Sequence, residues 1–168
     1  ICKMQLKESS VVYDIGSGTG SIAVEMARLS KNLTVYAIER KPEAASLIEK
    51  NCEKFELSNV KVIRGEAPLA LADLPVPTHA FIGGSNGSLM AILTDLYQKN
   101  PRMRVVVTAI TLETVGAVSS ILNEFPVEQE EIIQMSVGRA KKAGRYHLMQ
   151  AENPVFILSF YFAGGAEQ

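Results

Sequence analysis

The sequence predicts an α/β fold: a mostly parallel, seven-stranded sheet finished by an antiparallel hairpin. Three features predict it. From Val11 to Phe125, short apolar or β-branched runs alternate with segments of helical periodicity, the pattern of βα units feeding a parallel sheet. The first run passes straight into Gly16-Ser17-Gly18-Thr19-Gly20, a strand, a tight loop and a helix start, where open α/β sheets hold nucleotide-like ligands. The last third changes character, because Val127 to Val137 and Pro154 to Phe162 are both strand-like with no helical pattern between them.

Each element has its own warrant. Ile1, Met4 and Leu6 read as the last turn of a helix that begins upstream, so the chain reads as a single domain (1–168) of something longer, with its N-terminal segment missing. After the first strand, Ile22, Met26 and Leu29 recur on one helical face. Thr34 to Ile38 is β-branched and aromatic, a second strand that ends at Glu39. Pro42 suits a first helical turn, and Ala44, Ile48, Cys52 and Phe55 mark that helix's apolar face. Val60 to Ile63 is a third strand, closed by Gly65-Glu66-Ala67, and Thr78 to Ile82 a fourth, closed by Gly83-Gly84. Leu89, Ile92, Leu93, Leu96 and Tyr97 share a helix face. Met103 to Ala109 is a fifth strand whose continuous valines predict burial on both sides. Val115, Val118, Leu122 and Phe125 give the next helix, and the two terminal strands, joined by a long loop, complete the sheet.

Bulk composition narrows the function. At 168 residues, 47% apolar, 21% charged and net charge −1, this is a globular profile that argues against general electrostatic binding of nucleic acid. The apolar run Val155 to Phe162 contains Ser159 and is far too short to span a membrane. Cys2 and Cys52 give neither a disulfide framework nor a metal-ligand cluster, so no metal is expected. They read as reduced thiols in a cytoplasmic protein.

The glycine spacing points to the ligand. A dinucleotide loop would place its third glycine at Ser21, whereas here Asp14 is followed by Gly16, Gly18 and Gly20. That pattern suits a backbone wrapped around the amino-acid end of S-adenosylmethionine better than one gripping a pyrophosphate. Glu39 ends the second strand, where an acid can accept hydrogen bonds from both ribose hydroxyls; the plainer alternative is a solvated carboxylate paired with Arg40 or Lys41. Ala67 leaves room for an adenine ring. Asp14, Gly16, Ser17, Gly18, Thr19, Gly20, Glu39, Arg40, Glu66, Ala67 and Gly83 are therefore the expected cofactor-binding residues.

Two further segments could meet an acceptor. Gly83-Gly84-Ser85 stands where many amino-methylating enzymes carry an Asn/Asp-Pro-Pro-aromatic motif; two glycines instead open space, or simply satisfy a loop. Gly138 to His147 holds Arg139, Lys141, Lys142 and Arg145 with no acid among them, either a solvated loop or a basic patch that captures carboxylates or phosphates. His147 beside Tyr146 could serve acid/base chemistry, though a lone loop histidine is more often incidental.

Taken together, the chain resembles the cobalamin-pathway (cobalt-)precorrin-6B C15-methyltransferases (decarboxylating), or the matching C-terminal domain of the precorrin-6Y C5,15-methyltransferases. Asp-Ile-Gly-Ser-Gly-Thr-Gly-Ser (14–21) alone indicates only a class I, Rossmann-like S-adenosylmethionine-dependent methyltransferase. Tyr-Ala-Ile-Glu-Arg-Lys-Pro-Glu-Ala (36–44), Gly-Glu-Ala-Pro (65–68), Phe-Ile-Gly-Gly-Ser (81–85), Thr-Ala-Ile-Thr-Leu-Glu-Thr (108–114), Gly-Arg-Tyr-His (144–147) and Asn-Pro-Val-Phe-Ile (153–157) carry the more specific likeness. Asn100-Pro101-Arg102-Met103 departs from the family's usual Pro-Gly-Gly turn, at a site remote from the cofactor.

The resemblance implies methyl transfer to carbon 15 of a precorrin tetrapyrrole, with loss of the acetate carboxyl on carbon 12. It implies no named general base: positioning does most of the work. On this reading Gly84, Glu113, Arg139, Arg145 and His147 are the expected substrate-binding residues, the arginines clamping substrate carboxylates and Glu113 orienting a pyrrole N–H. Implied partners are the tetrapyrrole, the C5-methylating domain or subunit, and further copies in a homotetramer. Two rivals stay open: a methyltransferase acting on RNA or protein, and a non-catalytic cofactor-binding module.

Overall fold

The computed structural model describes residues 1–164. Strands β1 (Val11–Ile15), β2 (Thr34–Glu39), β3 (Val60–Arg64), β4 (His79–Ile82), β5 (Arg104–Ala109), β6 (Val127–Met135) and β9 (Val155–Phe162) form one seven-stranded sheet in the order β3-β2-β1-β4-β5-β9-β6. The first five pair in parallel, while β9 runs antiparallel between β5 and β6. Helices α1 (Ser21–Ala27), α2 (Pro42–Lys54), α3 (Leu89–Lys99) and α4 (Leu112–Leu122) make the crossovers.

Strand alternation splits the core between the two faces. Tyr13 and Ile15 of β1, Val105 and Val107 of β5, and Leu89, Ile92, Leu93 and Leu96 of α3 pack on one side. Val12, Val106, Ala23, Val24 and Met26 of α1, and Ile48 and Cys52 of α2 pack on the other. The β5 valines are at most 3% exposed, as their unbroken run predicts, and each contributes about 1.5–3 kcal/mol by leaving water. Chain order runs outward from β1 to β3 on one side and from β4 to β5 on the other. The switch point, where a crevice must open, lies between the carboxyl ends of β1 and β4.

Several details differ from expectation. The N-terminal segment forms a single 3₁₀ turn, Cys2–Met4, in which Met4 alone is fully buried. Helix α1 stops at Ala27, which leaves Leu29 beyond its end and 61% exposed. Phe55 caps α2 from outside, where Arg28 and Lys54 lie over its ring.

The largest correction concerns residues 138–151, expected as a long loop. They form a hairpin of their own, β7 (Gly138–Ala143) and β8 (Tyr146–Ala151), separate from the main sheet. Gly144, at φ +61°, opens its two-residue turn with Arg145, the glycine-first geometry that matches strand twist. Every hairpin residue is exposed. The cations of β7 fall on both faces, so no apolar alternation announces a strand. Among the described residues no helix is long and apolar enough to cross a membrane.

Candidate functional site

A crevice of about 260 Å³ opens at the switch point. Gly16 of the glycine loop, Glu39 and Arg40 after β2, Glu66 and Ala67 after β3, and Gly84 after β4 converge on it. Gly16 is the member of the glycine loop that lines it. The Gly16 and Ser17 N–H groups donate to the Ile38 carbonyl at 3.0 and 3.1 Å, folding the loop across the end of β2. Gly16, Gly18 and Gly20 all take positive φ, +71°, +58° and +77°, where a side chain is strained. At Gly16 a Cβ would also sit 2.6 Å from the Gly84 carbonyl oxygen, so the two glycine segments touch backbone to backbone. At Gly18 and Gly84 that position opens into empty space.

Glu39 is the hinge of this arrangement. Its carboxylate accepts the Gly18 N–H through Oε2 and the Lys41 N–H through Oε1, both at 2.9 Å. Only 8% exposed, it lines the crevice while holding the loop in place. Pairing with the Lys41 backbone, rather than with its ammonium, is the local contact. Glu66 accepts the Asn86 side-chain amide at 2.9 Å, which ties the loop after β4 to the loop after β3.

Asp14, expected among the cofactor-binding residues, lies behind the glycine loop. It is 1% exposed and outside the crevice lining, with Oδ2 accepting the Ser17 hydroxyl at 2.6 Å. Burial pushes its carboxyl up to about 6, against the hydrogen bonds from Ser17 and the Ala23 backbone. Asp14, Ser17, Thr19 and Gly20 thus shape the loop from behind: Thr19 through its carbonyl, which accepts Asn51 Nδ2, and Gly20 by close packing on Ile48.

A second cavity of about 270 Å³ adjoins the first. Gly83 and Gly84 line it together with Thr108, Ile110 and Thr114 from the β5–α4 junction. Gly84, Ser85 and Asn86 border both cavities. Glu113 is exposed in the first turn of α4, beside this cavity but not in its lining.

The hairpin residues are not brought to either cavity. Arg139 pairs with Glu152, the Arg145 guanidinium lies 5.0 Å from the Tyr146 ring, and His147 is exposed on β8. Conversely, Asn86, Ile92, Thr108, Ile110 and Thr114 were not expected, and Ser85 only as part of the Gly83-Gly84-Ser85 segment. Asn86 had a signal, since asparagine before Gly87 suits the left-handed backbone (φ +48°) that it adopts. The threonines lay within the quoted 108–114 segment, but only topology shows that they face Gly83.

Comparison with known proteins follows this geometry. Residues 1–161 match the family model described as a precorrin methyltransferase domain. A protein of Pyrobaculum calidifontis named "Probable cobalt-precorrin-6B C(15)-methyltransferase (decarboxylating)" is 36% identical over 163 residues, 96% of this chain and 83% of its own. The Salmonella typhimurium cobalt-precorrin-6B C(15)-methyltransferase (decarboxylating) is 30% identical over 95% of this chain and 82% of its own. Among solved structures, precorrin-6y C5,15-methyltransferase from Geobacter metallireducens superposes with a TM-score of 0.88 at 31% identity, covering 95% of this chain and 84% of that one.

Proposed function

The chain belongs to the precorrin methyltransferase family, and from that premise we propose that it methylates carbon 15 of a (cobalt-)precorrin-6-type tetrapyrrole and decarboxylates the neighbouring carbon-12 acetate, a step of cobalamin biosynthesis in the cytoplasm. The observation that supports this best is the pair of cavities meeting at Gly84–Asn86, one bearing an acid at the end of β2 and the other framed by two glycines and the β5–α4 junction.

The first cavity fits S-adenosylmethionine. Open space at Gly18 and Gly84, which a Cβ would fill, leaves the loop backbone accessible, and Glu39 offers a fixed carboxylate. When bound, that cofactor supplies the methyl group. In this reading Glu39 accepts the ribose hydroxyls, Ala67 makes room for the adenine, and Arg40 and Glu66 border the nucleoside. Gly83 and Gly84 keep the junction between the two ligands free of side chains. The acceptor's reacting edge enters the second cavity, among Thr108, Ile110 and Thr114, with Glu113 at its margin. These groups bind and orient, and orientation alone can lower a barrier by several kcal/mol.

Arg139 and Arg145 keep their reading as carboxylate clamps, and His147 its reading as a substrate-binding residue, through self-association. A two-stranded hairpin exposed on all sides is marginal alone, and Leu148 and Met149 are 62% and 70% exposed. We infer that another copy covers it, as in the homotetramer implied by the resemblance, and that the cations reach an acceptor bound there. A C5-methylating partner domain belongs to the same reading.

The test is turnover of S-adenosylmethionine on a precorrin-6-type substrate, following methyl incorporation and carbon dioxide release separately. Both are expected. Methyl transfer to RNA, with none to any precorrin, would overturn the assignment.

A further inference from the structure

The hydrogen bond from Asn86 Nδ2 to Glu66 Oε1, 2.9 Å long, joins the loops that follow β4 and β3. Those strands are not neighbours. Strands β2 and β1 lie between them, so the bond bridges three strand spacings, about 14 Å. Ile15 at the end of β1 and Ile38 near the end of β2 line the crevice beneath, and Ala67 is only 6% exposed. Glu66 and Asn86 line the same crevice yet are themselves exposed. Their bond therefore crosses the rim, above the place an adenosine would occupy.

Local chemistry holds both ends of this bridge. On the β3 side the Gly65 N–H donates to the Glu39 carbonyl at 3.1 Å, and the Glu66 carbonyl accepts the Ala70 N–H at 3.0 Å. On the β4 side Asn86 and Gly87 take φ +48° and +84°, and the Ser88 N–H closes their turn on the Ser85 carbonyl at 2.8 Å. A turn with positive φ at both central residues is the kind that Asn-Gly favours. Outside it, the Gly83 N–H donates to the Ile15 carbonyl at 2.9 Å, and Leu89 is 4% exposed at the start of α3. The piece that can swing is thus Gly84 to Ser88, with Asn86 at its tip. A carboxylate only accepts, so the amide must turn its N–H to Glu66, and a moving turn breaks the bond.

We propose that Asn86 and Glu66 form a strap over the cofactor crevice, which opens to admit S-adenosylmethionine and closes to set how long it stays. The strap rests on the methyltransferase reading of that crevice. It gives Asn86 a part in holding the cofactor that no glycine or acid of the site supplies.

Binding rates separate a strap from a simple contact. A lost contact speeds dissociation alone, whereas a lost strap speeds association too, because binding no longer waits for a conformational step. Chase of radiolabelled S-adenosylmethionine from the full chain reads dissociation, and rapid filtration reads association. Asn86→Gly removes the side chain and keeps the positive φ; it should raise both rates roughly fivefold, the worth of about one hydrogen bond. Asn86→Asp, of similar size and tolerant of the same backbone, sets two carboxylates face to face and should do likewise. Adding Glu66→Gln to Asn86→Asp gives the new carboxylate an amide donor, and should restore both rates to within about twofold of the parent. Unchanged dissociation in Asn86→Gly, faster dissociation with unchanged association, or a double variant as fast as Asn86→Asp alone would each overturn the strap. A parent chain that binds no S-adenosylmethionine would overturn the methyltransferase reading, and the strap with it.

Discussion

Replacing Glu39 separates two roles that its carboxylate combines. It anchors the glycine loop through the Gly18 N–H and the turn into α2 through the Lys41 N–H, each at 2.9 Å, and it presents its remaining lone pairs to the crevice. Glu39→Ala removes both anchors. The stability cost is that of two hydrogen bonds to a charged acceptor, about 1.5–3 kcal/mol each. Cofactor affinity should fall further. Loss of the charged acceptor for ribose hydroxyls is worth roughly 1.5–3 kcal/mol, about ten- to a hundredfold or more in Kd at 1.4 kcal/mol per decade. Glu39→Gln can keep one acceptor oxygen but turns an amide N–H toward the other backbone donor. It should therefore be intermediate in both respects. Calorimetric titration with S-adenosylhomocysteine, run well below each variant's Tm, reads affinity, and denaturant unfolding reads the anchors. A Glu39→Ala protein that loses stability yet binds the ligand within about twofold of the parent would leave Glu39 a structural clasp and refute its ribose role.

Three other outcomes follow from particular contacts. Gly16→Ala should destabilise by roughly 2–5 kcal/mol, the sum of left-handed strain and overpacking against Gly84; Gly18→Ala, with open space before it, should cost only about 1–2 kcal/mol in denaturant unfolding but still weaken S-adenosylhomocysteine binding in calorimetry. Asp14 and His79 should oppose each other across the acid range. Asp14, raised to about 6, holds its proton more tightly when folded, so its contribution falls as pH rises from about 4 to 6. His79, lowered to about 4, does the reverse, its contribution being lost as pH falls from about 6.5 to 4. Relative to the parent, Asp14→Asn should gain and His79→Gln should lose stability with rising pH, by up to about 3 kcal/mol each; parallel profiles would show that neither group is perturbed. On the hairpin, Met149→Glu should shift sedimentation toward smaller species, whereas Arg139→Ala and Arg145→Ala should leave S-adenosylhomocysteine affinity intact and raise KM for the tetrapyrrole about tenfold.

Much of the fold was legible because burial imposes a period on the sequence. The β5 valines are unbroken because helices cover both faces, and Leu89, Ile92, Leu93 and Leu96 repeat because α3 lies on one of them. Reading fails where burial does not impose a pattern. Leu29 satisfies the helical spacing but falls past the end of α1, so spacing alone could not tell a core leucine from an exposed one. Residues 138–151 fail for the opposite reason: they pair as strands, yet neither face is buried within this chain, and alternation has nothing to select it. Gly144, first of two turn residues, was the surviving local sign, since a two-residue hairpin needs a positive φ there.

The candidate site divides along the same line. Backbone requirements leave residue-type signatures, so Gly16, Gly18 and Gly20 were readable as a loop and Glu39 as the residue that closes β2. Their division of labour was not. Asp14 was read as a ligand because it precedes the glycines; what sequence could not show is that it is buried behind the loop, where its Oδ2 holds the Ser17 hydroxyl. The second cavity was hidden more deeply, because Gly83 and Thr108 come from adjacent strands far apart in sequence and meet only through the β4–β5 pairing. A cavity made by register has no local motif. The hairpin cations are the remaining case: sequence read them as a loop that could capture an acceptor's carboxylates, whereas pairing β7 with β8 puts them on a ribbon outside both cavities. Their chemistry still suits carboxylates, so the geometry transfers the question from loop closure within one chain to contact between copies. That makes hairpin disruption and oligomer size the linked measurements: if Met149→Glu dissociates the protein and leaves the tetrapyrrole KM at the parental value, the arginines have no part in holding the acceptor.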